Sequence, residues 1–134
     1  MKDTILVCGS CGWDDGPTIT RWLDVALRVP GVNRVVHGGA KGADVYAGAI
    51  ATDVFNAYVD HYPVDIAIDG PWPGAGPRRN ARMLDAELDR IRRVLAFSTP
   101  VDGPLGITRG PADMVSRCLR AGLAVTIVVP GARP

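Results

Sequence analysis

A length of 134 residues is that of one ordinary domain, and a hydrophobic fraction of 47% excludes an intrinsically disordered protein. The formal net charge of +1 provides no overall field that would attract nucleic acid or an acidic membrane surface. Three cysteines are an odd number, which argues against a disulfide scaffold and fits a reducing compartment. We therefore expect one cytoplasmic domain over residues 1–134, without a membrane span or a signal peptide.

Five short β-rich runs alternate with helical patterns along the chain. The predicted strands are residues 4–8, 34–37, 57–62, 93–97 and 124–129, and the helical patterns lie in residues 17–29, 43–55, 80–91 and 111–122. Continuous apolar runs are typical of strands that are covered on both faces, and the alternation implies parallel pairing with right-handed crossovers. The predicted fold is an open, mainly parallel α/β sheet of about five strands with helices on both faces.

Each loop of interest follows a strand and should therefore open at the carboxyl edge of the sheet, where α/β proteins bind ligands. These loops are residues 9–16, 38–44, 70–80 and 98–113.

The loop after the second strand is rich in glycine, with Gly38, Gly39 and Gly42 within five positions. Such a turn lets backbone amides approach an anion at a helix N-terminus, with Lys41 as a possible phosphate partner. Asp44 could cap the helix or hold a ribose hydroxyl. Alternatively, the glycines are there because the following helix has small side chains and packs closely.

The loop after the first strand is another small turn. Gly9 and Ser10 could bind a phosphate or could form only a tight turn. Trp13 could stack on a base or cover the core.

Two further segments combine glycine or proline with polar side chains. Arg79 and Asn80 follow a Gly/Pro-rich loop at a helix start, where the guanidinium could bind phosphate or carboxylate in fork geometry. Gly110 and Asp113 lie at the next helix entry, where the carboxylate could instead only complement the helix N-terminus.

Taken together, four motifs resemble the SLOG superfamily, and in particular its YpsA-related branch (DUF2493). They are G-S-x-x-W-x-D from residue 9, H-G-G-A-x-G-A-D from residue 37, G-P-x-R-N-x-x-M from residue 76 and G-P-A-D-M from residue 110. The resemblance extends over about residues 4–129. It implies a Rossmann-like domain that binds a nucleotide or nucleotide derivative as a sensor, effector or carrier, with no further cofactor or metal. Members of this branch have been proposed to act in conflict between phages or plasmids and their hosts, and small domains of this family often form homodimers.

The superfamily also includes phosphoribohydrolases, which cleave the N-glycosidic bond of nucleoside monophosphates. Their motif carries a Glu at the position of Met114, and methionine cannot transfer a proton. Arg79 matches their arginine, while Pro111 replaces a threonine and Cys11 stands where many YpsA-related chains have arginine. Such an enzyme is therefore the alternative interpretation, with Arg79 and Asp113 as catalytic candidates and Asp113 or Asp44 replacing the glutamate.

Other functions are less well supported by the sequence. Cys8 and Cys11 form a C-x-x-C pair without the surroundings of a redox motif, and with His37 and His61 they make a weak metal site. The arginine-rich segment 82–93 contains interleaved acidic residues, so we interpret it as a solvated face and not as a nucleic-acid site. Three aromatic residues could form a dimerisation patch or belong to the core: Trp22, Tyr46 and Phe55.

Overall fold

The computed structural model describes residues 1–101 and 106–134. The strands are β1 (Thr4–Gly9), β2 (Arg34–His37), β3 (Tyr58–His61), β4 (Ile91–Phe97) and β5 (Val125–Val128). The helices are α1 (Gly16–Leu27), α2 (Ala43–Asp53), α3 (Ile66–Asp69), α4 (Ala75–Glu87) and α5 (Arg109–Arg120), with a 3-10 turn at Leu88–Arg90. All strand pairs are parallel. The predicted Rossmann-like α/β fold is confirmed.

The strand order is β3-β2-β1-β4-β5. The chain first extends the sheet from β1 through β2 to β3, then returns to the other side of β1 with β4. This reversal places a topological switch point between β1 and β4, and the crevice beyond their carboxyl ends is where open α/β sheets bind ligands.

Alternate residues of β1 serve two separate cores. Ile5 and Val7 pack on α1 and α2, whereas Leu6 and Cys8 pack on α4 and α5. This follows from the period of two along a strand. Helices therefore cover both faces of the sheet, as predicted.

Helix α2 lies close to the sheet because its buried residues are small. Ala43, Ala47 and Ala51 are fully buried, and Gly48 leaves room for the imidazole of His37. Val54 was expected on the same face, but it is 60% exposed at the helix end, so that prediction is wrong.

The largest departure from the predicted elements is the start of α4. The helix begins at Ala75, inside the segment expected to be a loop, so Arg79 and Asn80 lie past its first turn. Pro77 is tolerated there because first-turn amides have no intrahelical acceptor. The same reason lets α5 begin at Arg109 with a proline at residue 111. Residues 102–105 of the predicted 98–113 loop lie outside the described residues.

The other differences are smaller. The four-residue helix α3 was not predicted, β3 and β5 are each two residues shorter than expected, and α4 ends at Glu87 so that β4 can begin at Ile91.

A buried ion pair ties α4 to the sheet. The Arg34 guanidinium donates to both carboxylate oxygens of Glu87 over 2.5 and 3.0 Å, and to Thr4 Oγ1 over 3.0 Å. The Tyr62 hydroxyl donates to the same carboxylate over 2.5 Å. Glu87 is therefore a core residue, and the interpretation of segment 82–93 as wholly solvated is wrong at this position.

Within the two described ranges, none of the helices combines the length and the apolar character that crossing a bilayer would require.

Candidate functional site

A cavity of about 790 Å³ lies beyond the carboxyl ends of β1 and β2, between α4 and α5. Its size falls within the range of small-molecule pockets. All four loop segments that were expected at this edge contribute to its wall, so their predicted convergence is confirmed. The lining residues from these segments include Gly9, Cys11, Gly38, Ala40, Asp44, Trp72, Arg79, Asn80, Arg109, Gly110 and Asp113.

First-turn residues of three helices line this cavity. They are Asp44 of α2, Gly76 and Pro77 of α4, and Arg109 and Gly110 of α5. The amides of a first turn, which Pro77 lacks, have no intrahelical acceptors and carry the positive end of the helix dipole. These amides and the guanidinium groups of Arg79 and Arg109 favour a negatively charged group, whereas the carboxylates of Asp44 and Asp113 in the same wall oppose it.

The glycine turn itself already has acceptors for its amides. The Asp44 carboxylate accepts hydrogen bonds from the amides of Gly38, over 3.1 Å, and Ala40, over 3.3 Å. The amide of Gly39 donates to His37 Nδ1 over 2.9 Å. The amides of Gly38 and Gly39 were expected to face an external anion, but in the structure they donate to side chains of the chain itself.

Burial controls the protonation of both acceptors. It raises the pKa of Asp44 to about 6, although the two amides and the nearby Arg79 guanidinium oppose that shift. Burial also lowers the pKa of His37 to about 4, with further lowering by the cationic form of His61 and by Arg79. Neutral His37 agrees with the role of its Nδ1 as an acceptor.

Two glycines of the turn have close neighbours that a side chain would meet. A Cβ on Gly38 would lie 2.6 Å from Cζ of Arg79. Gly42 has a φ of +91°, and a Cβ there would lie 2.4 Å from the carbonyl oxygens of Ser10 and Cys11. The crowding comes from the loop after β1 and from the Arg79 guanidinium, and not from α2, on which the packing explanation depended.

Arg79 is held by three acceptors at the rim of the cavity. Its Nη1 donates to the carbonyl of Gly38 and to that of Tyr62, the latter over 3.0 Å. Its Nε donates to Asn80 Oδ1 over 3.0 Å. In residues 1–101 and 106–134 its Nη2 has no hydrogen-bond partner. Burial lowers the pKa of Arg79.

Asn80 and Asp113 are bonded to each other. Asn80 Nδ2 donates to Asp113 Oδ2 over 3.0 Å, and Arg117 Nε donates to the same oxygen over 2.8 Å. Both residues line the cavity. The next residue, Met114, also lines it and is 1% exposed, so the position of the phosphoribohydrolase glutamate holds a buried thioether.

Ser10 belongs to a buried cluster of hydroxyl groups. Its Oγ lies 2.6 Å from Thr108 Oγ1 and donates to Ser98 Oγ over 3.1 Å. The amide of Thr108 donates to Ser98 Oγ over 3.0 Å. The Ser10 hydroxyl, for which phosphate binding was one of two interpretations, links the loop after β1 to the entry of α5.

Four predicted residues line a second cavity of about 750 Å³, which is next to the first. These are Trp13, Gly39, Lys41 and Gly42. Trp13 is 2% exposed and lies edge-on to Phe97 with ring centroids 5.5 Å apart. It covers the core, as one of its two interpretations predicted.

Among the residues of the main cavity that the sequence analysis did not name as site residues are Trp72 and Arg109. Trp72 is 65% exposed, and Arg109 is also exposed. Only their positions in the sequence could have indicated these two residues, because each lies in a loop segment that was already expected at this edge.

The thiols lack the features of a redox centre. Burial raises the pKa of Cys8 well above its usual value and that of Cys118 to about 11, which disfavours the thiolate. His37 and His61 stack with ring centroids 5.7 Å apart. The described part of the chain holds no group of three or more His, Cys, Asp or Glu residues that could bind a metal ion.

The three aromatic residues considered for dimerisation do not share one exposed patch. Trp22 is partly buried, and its Nε1 donates to the carbonyl of Ala132 over 3.0 Å. Phe55 also packs against the core, and Tyr46 is 45% exposed. The core interpretation therefore holds for Trp22 and Phe55.

Comparison with known proteins provides one relationship. No protein-family model matches the chain. The chain is 34% identical over 124 residues to the Gene 61 protein of Mycobacterium phage D29, and the match covers 90% of this chain and 92% of the phage protein. At this identity and coverage, the chain belongs to the family of the phage Gene 61 protein.

Proposed function

We propose that the protein binds a nucleotide or nucleotide-derived ligand in the cavity between α4 and α5, as a sensor, effector or carrier. The proposal is carried by one observation: three helix N-termini and the guanidinium groups of Arg79 and Arg109 line a single cavity beside the switch point of a parallel sheet. The motif resemblance to the YpsA-related branch of the SLOG superfamily supports the same ligand class.

The two kinds of wall suit the two parts of a nucleotide. The guanidinium groups and the first-turn amides of α5 match a phosphate, to which arginine donates in fork geometry. Pro73 and Pro77, which are exposed and line the cavity, provide an apolar surface for a base or another planar group.

The relative comes from a bacteriophage, which supports a role in phage biology, and a role in conflict between phages or plasmids and their hosts rests on the motif resemblance alone. The free cysteines fit action in a reducing cytoplasm.

Isothermal titration of the purified protein with AMP, GMP, CMP, UMP and inorganic phosphate tests the proposal. At least one monophosphate should bind. Arg109→Ala should weaken that binding about tenfold, the usual effect of losing one charge-assisted hydrogen bond. Arg120→Ala is the matched control, since Arg120 is exposed at the other end of α5 and does not line the cavity. Absence of binding by every probe, or an equal loss in both variants, would contradict the proposal.

A second candidate function is hydrolysis of the N-glycosidic bond of a nucleoside monophosphate. The favouring observation is that Asp44 lines the cavity with its pKa raised to about 6 by burial, which suits a group that donates a proton near neutral pH. In this reaction water adds to the anomeric carbon while the protonated carboxyl group donates its proton to the departing base.

Incubation with each monophosphate, followed by chromatography of the free base, tests this candidate. Release should slow by about a hundredfold or more in Asp44→Asn, since general acid catalysis contributes at least that much. If the protein binds a monophosphate but releases no base, the hydrolase candidate is refuted and the receptor function stands.

A further inference from the structure

We propose that Trp72 forms a stacking surface for a planar aromatic ring, so that the ligand is recognised by its base at this residue as well as by its phosphate. The inference rests on the proposed function and specifies which part of the cavity binds which part of the ligand.

The placement of the indole is unusual for a tryptophan. The side chain of Trp72 is 65% exposed although it lines the main cavity. A Cβ added to Gly76 would lie 3.3 Å from its Cζ3, so the ring is held against the first turn of α4. Among the described residues the aromatic contacts are those of Trp13 with Phe97 and of His37 with His61, so Trp72 stacks on no other ring.

A tryptophan loses favourable burial when it stays exposed, because it is the side chain with the largest apolar area to cover. Two neighbours along the chain, Ile66 and Ile68, are also exposed, by 52% and 65%. Neither of them lines the cavity, whereas Trp72 does. The indole therefore belongs to the cavity, and its cover should be a small molecule that enters the cavity rather than a protein that docks on this segment.

The other residues of the cavity indicate which class of small molecule covers the indole. Arg79 and Arg109 line the same space and favour an anion. An inorganic anion would leave the indole exposed, and a neutral aromatic compound would offer the guanidinium groups no negative charge beyond those of Asp44 and Asp113, which line the same cavity. A planar ring joined to a phosphate by a sugar satisfies both surfaces, and stacking on an indole accepts any base because every base has a π-face.

Replacing Trp72 separates stacking from the other contacts. Trp72→Ala should weaken the monophosphate that binds most tightly by about tenfold or more, the usual effect of losing one aromatic–base stack. Trp72→Phe keeps a ring and should lose less than Trp72→Ala. Ile68→Ala is the matched control, because Ile68 is equally exposed in the same segment but lies outside the cavity. Ribose 5-phosphate lacks the ring and should bind the wild-type protein and Trp72→Ala alike, whether weakly or not at all.

Indole fluorescence gives a second measurement of the same contact. Trp13 is buried and Trp22 partly buried, so the emission that an added nucleotide can quench should come mainly from Trp72. Quenching should occur in the wild-type protein and disappear in Trp72→Phe. Thermal unfolding should remain close to wild type in all three variants, since both replaced side chains are exposed.

The outcomes separate this inference from the function on which it rests. If the monophosphates bind and Trp72→Ala binds them as tightly as wild type, or no more weakly than Ile68→Ala, the stacking surface is refuted while the receptor function stands. An equal loss of ribose 5-phosphate affinity in Trp72→Ala also refutes it, because the effect would then not depend on the ring. If no monophosphate binds the wild-type protein, both proposals fail.

Discussion

Replacing Glu87 with glutamine should strongly destabilise the protein, because it leaves a buried arginine without a buried counter-charge. The side chains of Arg34 and Glu87 are only 7% and 5% exposed, and they share two hydrogen bonds of 2.5 and 3.0 Å. After the change, the nearest remaining carboxylate of Arg34 is that of Asp60, 2.7 Å from Nε, whose side chain is 61% exposed and therefore screened by water.

Removing one partner of a buried ion pair typically costs about 3–5 kcal/mol. For a domain of this size that loss corresponds to a fall in Tm of about 10–20 °C. Glu87 is the last residue of α4, the helix that carries Arg79 and Asn80. Loss of the ion pair should therefore also loosen one wall of the cavity. Asp85→Asn makes the same chemical change on the exposed face of that helix and should alter the free energy of unfolding by less than about 0.5 kcal/mol.

Urea denaturation followed by circular dichroism at pH 7 measures both variants. The pH dependence supplies a second test. The hydrogen bonds from Arg34 hold the pKa of Glu87 below its usual value of 4.5 in the folded protein. The pair therefore contributes its full stability above that value and loses it as the pH falls through the lower, folded pKa. Glu87→Gln should lack this part of the acid destabilisation. A loss of less than about 1 kcal/mol at pH 7, or one equal to that of Asp85→Asn, would refute the reasoning.

Two further changes test the glycine turn. Gly42→Ala forces a side chain onto a backbone with φ +91° and within 2.4 Å of a carbonyl oxygen, so it should cost about 3 kcal/mol in urea denaturation, whereas Gly12→Ala meets nothing within 4 Å and should change little. Asp44→Asn removes a carboxyl group whose pKa in the folded protein, about 6, exceeds its usual value of 3.8. A raised carboxyl pKa means that ionisation is less favourable in the folded state than in the unfolded state. The free energy of unfolding of the wild type, relative to that of Asp44→Asn, should therefore fall as the pH rises from about 4 to about 6. Equal pH profiles of the two proteins would contradict this.

The sequence predicted the order of elements and the edge at which the loops meet, since both follow from local patterns. The run Arg34–His37 was predicted with its observed bounds because its two central valines favour a strand and glycine follows directly at residue 38. The start of α4 could not be predicted in the same way. Glycine and proline at residues 74–77 are typical of loops, and only the structure distinguishes a loop from a first turn that tolerates them.

The two tryptophans of the loops show a different limit. Trp13 and Trp72 lie in similar glycine-containing segments, yet Trp13 is 2% exposed and Trp72 is 65% exposed. Burial of Trp13 depends on its contact with Phe97, which comes from a distant part of the chain. Hydrophobic periodicity does not predict such a contact. The sequence analysis therefore considered the buried Trp13 as a possible stacking ring and did not consider the exposed Trp72.

The glycine turn after β2 limits where a ligand's phosphate can bind. A glycine-rich turn at a helix N-terminus is expected to bind an anion, and here the anion is the carboxylate of Asp44, which belongs to the same turn. A phosphate that entered the turn would have to displace this carboxylate and leave it buried beside another negative charge, which is unfavourable in a low dielectric. An incoming phosphate should therefore bind away from this turn, at the first turn of α5 beside Arg109, where amides lack intrahelical acceptors. Asp44 Oδ1 accepts no hydrogen bond from the described residues, so it is available to a sugar hydroxyl of the ligand.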